Sequence, residues 1–317
     1  MDIDNNLHFK LANLLAEYEA PKRKALSSKY PFIRKPILSI RQTSRTVQNL
    51  LDSKIRCHTA KDEFPMIVAR HQSVLKRRLG DSDMELQKQK IINLKQAIQH
   101  LNGLVIEPGH IFSLWKSIGK PTYDKGYVDV MLLAGGAVVP GLGGGLCQLS
   151  NFLYWIFLHT SMQTIERYHH SMDVFPDSGR TLPFGGGATI LYNFIDLKLK
   201  NISNQPLQLK IWLTDNHLKG QILTTERIPE KYHIIEKNHC FVKRGDIYFR
   251  YNEILKECRV NGVLQSTEHI TTNFAPVLYK VTPEYIEKNS FILVDFTDKN
   301  LQEIISPTSP LAQTKQI

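Results

Sequence analysis

The chain has 317 residues, 42% hydrophobic and 22% charged, with 40 Lys or Arg against 30 Asp or Glu and a formal charge of +10. That length buries a real core in one large domain or two packed ones, and the apolar fraction excludes disorder on a large scale. Cys57, Cys147, Cys240 and Cys258 lie far apart with no C-x-x-C pair, which argues against a disulfide framework and a structural zinc site.

The opening "MDIDNNLHFKLANLLAEYEA" is acidic at its start and carries neither a long apolar stretch nor a small-residue cleavage site, so it does not read as a signal peptide. Residues 1–85 read as mostly helical, with proline breaks at Pro21, Pro31, Pro36 and Pro65. The run "YEAPKRKALSSKYPFIRKPILSIRQTSR" holds eight Lys or Arg against one Glu. Such a run meets nucleic acid, an anionic membrane surface or an acidic polymer, or it is a solvated face. The solvated face is the expectation, and nucleic acid is not an expected partner, because no RNP-like or zinc-finger pattern accompanies it.

"DSDMELQKQKIINLKQAIQHLNG" predicts a helix capped by Ser82 or Asp83, with Met84, Ile91, Leu94, Ile98 and Leu101 largely on one face and Gly103 ending it. "LVIEPGHIFSLW" reads as strand, Pro-Gly turn and strand. Glycines then recur through loops and short strands over residues 119–145.

"CQLSNFLYWIFLHTS" is apolar nearly all round, which predicts a helix buried on every side. Its most apolar window, residues 152–158, is far short of the ~20 residues that cross a bilayer, and the expected location is cytoplasmic. "ATILYNFIDLKLKNISNQPLQLKIWLTD" reads as a hairpin, with Ile195, Leu197 and Leu199 alternating before the turn and Leu207, Leu209, Ile211 and Leu213 after it. Short β-rich segments such as "CFVKRGDIYFRY" and "NFAPVLYKV" follow.

The expected fold is α+β. A helical N-terminal part packs on a core in which the buried Cys-bearing helix lies against an antiparallel sheet, and the C-terminal part is β-rich. The expected divisions are a basic, mostly helical region at 1–85, a core at 86–225, its β-rich extension at 226–305 and a disordered tail at 306–317.

Four of the five residues 141–145 are glycine, and Cys147 follows. A thiol in the first turn of a helix feels the positive end of the macrodipole, which favours thiolate. Glycines let backbone N–H groups approach a ligand or a developing oxyanion. The alternative is a structural cysteine behind a Gly-rich turn. A nucleophilic thiol needs a base, and His169 and His170 are adjacent, so at most one faces Cys147. Asp196 is placed to orient an imidazole, or else to pair with Lys198 and Lys200 on its own face. Cys147, His169 and His170 have no metal-ligand spacing, and no cofactor or metal is expected.

"GGGLCQLSN", "ERYHHSMD" and "FPDSGRTLPFGGGATILYNFIDLKLKN", preceded by "NLKQAIQHLNGLVIEPGHIFSLW", resemble the VanW family in that order. The resemblance runs from about residue 65 to 277 and is most specific over 93–201. It implies a bacterial protein in a cell-wall or glycopeptide-resistance context. It also implies the chemistry of some exported members, L,D-transpeptidation through the cysteine of a G-G-G-x-C-Q motif, which falls on Gly143, Gly144, Gly145, Cys147 and Gln148. The family pattern E-R-x-x-H-S falls on Glu166, Arg167, His170 and Ser171, selecting His170 over His169.

The resulting expectation is a cysteine-dependent acyl-transfer or peptide-processing domain acting on a peptide or cell-wall precursor. Cys147 attacks, His170 serves as base and then acid, Asp196 orients it, and backbone N–H groups from Gly145 to Gln148 hold the oxyanion. Gly143, Gly144, Gly145, Gln148, Glu166, Arg167 and Ser171 are the expected substrate-binding residues, with Arg167 suited to a carboxylate. The alternative is a non-catalytic module that binds an anionic peptide or precursor.

Overall fold

In the structure, a computed structural model, residues 4–21, 30–75, 84–134, 137–169, 172–173, 176 and 182–305 are described. The fold is mixed α+β, as the sequence predicts. Helices α1 (Asn5–Glu19) and α2 (Arg34–Leu51) come first. Pro36 sits in the first turn of α2 rather than breaking it, where its missing N–H costs nothing.

Residues 52–75, expected to be helical, carry β1 (His58–Thr59) and β2 (Met66–Val74) instead. The cause is visible in β2, where Ala69, His71 and Ser73 turn inward while Arg70, Gln72 and Val74 stay exposed, a period of two rather than 3.6. Helix α3 (Met84–Gln99) is the predicted amphipathic one. Leu94 and Leu101 are fully buried, with Ile91 and Ile98 packed beside them. The expected caps Ser82 and Asp83 lie outside the described residues.

Next come β3 (Leu104–Ile106), β4 (Ile111–Ser113), α4 (Leu114–Ile118), the antiparallel pair β5 (Asp129–Ala134) and β6 (Ala137–Leu142), α5 (Leu146–Leu158) and β7 (Met162–Glu166). After these run β8 (Lys198–Asn201), β9 (Leu207–Leu213) and β10 (His217–Thr224). One antiparallel sheet has the order β1-β3-β9-β10-β2 and a second has β4-β8-β7.

The expected hairpin is therefore not formed, since β8 and β9 belong to different sheets. Each pairs with one half of the earlier strand-turn-strand: β9 with β3, through Leu104 opposite Leu209, and β8 with β4, through Ile111 opposite Lys200. Both ribbons turn the same corner together. Gly109 N–H donates to Asn201 O and Asn201 N–H to His110 O, while the Asn201 side chain donates to Ile106 O and Gln205 O. Alternation and turn residues mark strands and a corner, but they do not say which strand is the partner.

Helix α5 is buried over most of its circumference, short of the burial on every side that its composition predicts, because Cys147, Gln148, Asn151 and Trp155 form a half-exposed stripe. Leu146, Leu149, Phe152, Leu153, Ile156, Phe157 and Leu158 join Leu94, Leu104, Phe112, Leu199, Leu209 and Leu218 in one core. At about 1.5–3 kcal/mol per buried large side chain, this helix is the main hydrophobic contributor of the domain.

The C-terminal part contains the long strands β11 (Glu230–Arg244), β12 (Ile247–Val260) and β13 (Val263–Pro276), then α6 (Pro283–Lys288), β14 (Ile292–Asp295) and α7 (Leu301–Ile305). Their order is β13-β12-β11-β14, with β14 parallel to β11 and the others antiparallel. The first helix packs here and not on the Cys-bearing helix. Leu11, Ala12 and Leu15 form a second core with Cys240, Val242, Phe249, Tyr251 and Phe296. Among the described residues, α2 is instead tied by polar bonds to Glu166, Tyr192 and Lys198. Residues 306–317, expected to be a disordered tail, lie outside the described residues.

Candidate functional site

Helix α5 begins on a glycine turn in which Gly143 and Gly145 have φ of +82° and +92°. A Cβ on Gly145 would stand 2.8 Å from Lys90 Cβ of α3. The α3 side chain Asn93 donates to Gly144 O (2.9 Å) and Val128 O (3.0 Å) and accepts from Val128 N–H. These glycines let two helices meet. The Leu146 N–H goes to Gly143 O and the Gln148 N–H to Gly145 O, so two donors expected to hold an oxyanion already have partners. The Gln148 side chain ties α5 to β2 by donating to Ser73 Oγ and Val74 O.

Cys147, the second residue of α5, keeps intermediate exposure. Burial pushes its thiol above the ordinary value, and a hydrogen bond from the Ile190 N–H works against that push. Desolvation outweighs that bond, so the resting group is a thiol.

The segment that reaches Cys147, residues 184–190, is held from three sides. From α5, Ser150 Oγ donates to Ala188 O (2.5 Å) and Asn151 Oδ1 accepts from Ala188 N–H (2.7 Å). From the end of β7, Arg167 donates through Nε to Gly187 O (2.8 Å) and through Nη2 to Gly185 O. From β12, Asn252 Nδ2 donates to Phe184 O (2.8 Å), with Asn273 beside it. Thr189 bridges to Tyr168, so the chain entering the histidine pair runs alongside this segment.

A pocket of about 340 Å³ opens at this junction, lined by Tyr154, Thr164, Arg167, His169, Glu268, Ile270 and Thr271. Tyr154 lies seven residues after Cys147, on the same face of α5. The Arg167 guanidinium stands 5.0 Å from the centre of the Tyr154 ring. Burial, and then the neighbouring Arg167, hold His169 below its ordinary value, which keeps the ring neutral at neutral pH. Arg167 is also lowered by burial, but from a value so high that it stays charged.

Two expected site residues have other partners. Asp196 accepts from Ser113 Oγ (2.6 Å), Trp115 N–H (3.1 Å) and Leu197 N–H (2.8 Å), anchoring the start of α4. Burial raises its carboxyl, against the lowering effect of those bonds and of Lys198. Glu166 takes a two-pronged bond from Arg45 (2.6 and 2.9 Å), stands 3.4 Å from Lys198 Nζ and accepts the Asp196 N–H. These groups bind α2 to the core. His170 and Ser171 lie outside the described residues.

The structure thus brings Cys147, Arg167 and the His169 segment around residues 184–190, and sets Asp196 and Glu166 in a separate cluster. Sequence reading missed Tyr154, Thr164, Glu268, Ile270 and Thr271. The first was accessible from its seven-residue spacing to Cys147. Thr164 lies on β7 and the other three on β13, and none of these four carries a local signal.

Residues 89–223 match the family model described as VanW like protein. The vancomycin B-type resistance protein VanW of Enterococcus faecalis is 28% identical over 272 residues, covering 84% of this chain and 97% of that protein. The uncharacterized protein YoaR of Bacillus subtilis is 28% identical over 123 residues, or 39% of each chain. No solved structure matches. Residues 89–223, which hold the glycine turn, α5 and the segment facing it, therefore form a VanW-like domain.

Proposed function

We propose that the chain is a binding module of a cell-wall or glycopeptide-resistance system that takes the carboxylate end of a peptide or cell-wall precursor in the Arg167 pocket. The observation that carries this reading is the fixing of Arg167. Two loop carbonyls orient its guanidinium and a tyrosine ring covers it, in a pocket that Glu268 also lines. A preorganised guanidinium binds a carboxylate without ordering itself first, and partial burial strengthens the pair. Glu268 adds a partner for an ammonium or amide N–H on the same ligand, and neutral His169 and Thr164 add hydrogen bonds.

Calorimetric titration with short stem-type peptides, as free acids and as C-terminal amides, tests this. The free acid binds, and the amide binds about ten- to hundredfold more weakly, the effect of one charge-assisted hydrogen-bonded pair. Arg167→Gln loses the distinction and Cys147→Ser keeps it. Because Arg167 also holds the loop, Glu268→Gln serves as the second variant, weakening peptides with a free ammonium without touching those carbonyls. Equal binding of acid and amide refutes the reading.

A second reading is cysteine-dependent acyl transfer at Cys147, supported by the Ile190 N–H bond to its sulfur and by the bridge that runs the histidine segment alongside. The sulfur attacks a peptide carbonyl, His170 carries the thiol proton to the departing amine, and a second amine or water takes the acyl group from the thioester. A peptide adduct on Cys147, seen by intact mass and absent in Cys147→Ser, is its required result.

A further inference from the structure

Helix α2 is mounted with its polar face inward. Gln42, Arg45 and Asn49 follow one another at spacings of three and four, one face of a helix. Gln42 Nε2 donates to Tyr192 O (2.9 Å), Arg45 pairs with Glu166 (2.6 Å), and Asn49 Oδ1 accepts from Lys198 Nζ (2.7 Å). Asn193 adds a bond to Gln42 O (2.7 Å). This polar lock fixes the helix so that its other face cannot roll onto the core.

That other face is apolar and bare. Ile40, Val47, Leu50 and Leu51 are 69%, 49%, 71% and 78% exposed, and Phe32, in the turn before the helix, is 77% exposed. Ile40, Val47 and Leu51, spaced by seven and four, form one stripe. Single exposed apolar residues need no explanation, but an aligned stripe on a rigidly held helix does. Lys35, Arg41, Lys54 and Arg56 are exposed around it. Between residues 22 and 56 the sequence holds ten Lys or Arg against the single acidic Asp52.

We propose that the outward stripe of α2 seats in the interfacial layer of an anionic membrane, with the surrounding Lys and Arg on the lipid phosphates. A strongly amphipathic basic helix with Ile, Val and Leu on its apolar face and a Phe in the turn before it has the chemistry of a segment that lies in the plane of the interface. Charge selects the occupant, because each Lys or Arg near an anionic surface adds about fivefold to binding, whereas a protein partner gains from this charge only through an acidic patch of its own. No described helix is long and apolar enough to cross a bilayer, so the attachment lies on the surface. The inference does not rest on the peptide-binding reading, which uses other residues.

Co-sedimentation of the full chain with vesicles of phosphatidylcholine alone, and of phosphatidylcholine mixed with phosphatidylglycerol, tests it. The wild type sediments with the mixed vesicles, not with phosphatidylcholine alone, and is released by salt. The triple variant Ile40→Ser, Val47→Ser and Leu51→Ser removes mostly exposed atoms, melts close to the wild type and binds about tenfold more weakly or worse. Lys35→Glu with Arg41→Glu weakens binding to the anionic vesicles while the stripe is intact. The proposal is overturned if the wild type ignores anionic vesicles or if the triple variant binds them like the wild type. It is equally overturned if the stripe proves to hold two copies of the chain together, read as a dimer by sedimentation equilibrium that the triple variant abolishes.

Discussion

Arg250 and Asp173 form an ion pair 3.2 Å long with both side chains almost wholly buried, at 2% and 3% exposure. It links β12 to the chain leaving the histidine segment, and Arg250 also stands 5.1 Å from the centre of the Phe184 ring, at the start of the segment facing Cys147. Tyr279 adds a hydrogen bond to the same carboxylate. The C-terminal sheet is thus the back wall of the candidate site.

Removing one partner of this pair leaves a buried charge without its counter-ion. Arg250→Met is expected to cost about 3–5 kcal/mol, read as a lowered urea midpoint with an unchanged slope. A loss below 1 kcal/mol means that water reaches Asp173 and the wall is looser than described.

Gly185 has φ of +71°, and a Cβ there would stand 2.1–2.3 Å from the Asn273 side chain. Asn273 cannot withdraw without losing its bonds to Phe184 O and Asn252. Gly185→Ala is therefore expected to cost about 2–4 kcal/mol and to weaken ligand binding in the Arg167 pocket. Gly109→Ala is the control, with φ of +78° but open space around it, so backbone strain alone applies, about 1 kcal/mol. Equal melting temperatures for the two variants contradict the packing described at Gly185.

Burial holds the thiols of Cys57 and Cys240 up to about 12 and raises that of Cys147 in the same direction. All three are expected to resist alkylation at neutral pH in the folded protein and to react on unfolding, as mapped by peptide mass. Alkylation of Cys147 at a pH below the ordinary thiol range of about 8.5 would move the weight to the acyl-transfer reading.

His71 of β2 lies 5.2 Å from the Phe152 ring and 6.4 Å from Trp155, and its Nε2 is buried with no partner among the described residues. Burial, and then repulsion from His159, lowers its pKa from 6.5 to about 4. The unfolded chain therefore takes up this proton first, so its contribution is complete above pH 6.5 and is lost as pH falls toward 4. With a discount for partial solvation the loss is about 1–2 kcal/mol. His71→Phe should flatten the fall in urea stability over that range, and an unchanged pH profile would count against a neutral buried His71.

The buried helix was legible because the run from Leu149 to Leu158 has almost no polar position to turn outward. Its chemistry was harder to read, for the same reason: the apolar run that buries α5 also desolvates the thiol at its start. The glycines announced close approach, but the neighbours they admit are Lys90 of α3 at Gly145 and Pro121 at Gly143, which no local pattern names. The strands on either side of "NISNQP" were readable as strands, while their partners lay in another segment. Arg167 was identified as a carboxylate partner, yet Glu268 opposite in charge comes from a strand a hundred residues away. His169 lines the pocket, whereas the family pattern pointed to the residue after it.

The exchanged partners of the corner govern how the domain is made. Leu104 meets Leu209 and Ile111 meets Lys200, contacts about 90 to 105 residues apart, which places the domain among slow, high-contact-order folds. On the ribosome β3 and β4 emerge long before the strands that close on them. Helix α5, made in between, carries the most apolar segment of the chain while the sheet that covers it is still incomplete. The interval before β9 and β10 appear is when this protein is most exposed to aggregation and most dependent on chaperones. A truncation anywhere before Thr224 prolongs that interval indefinitely.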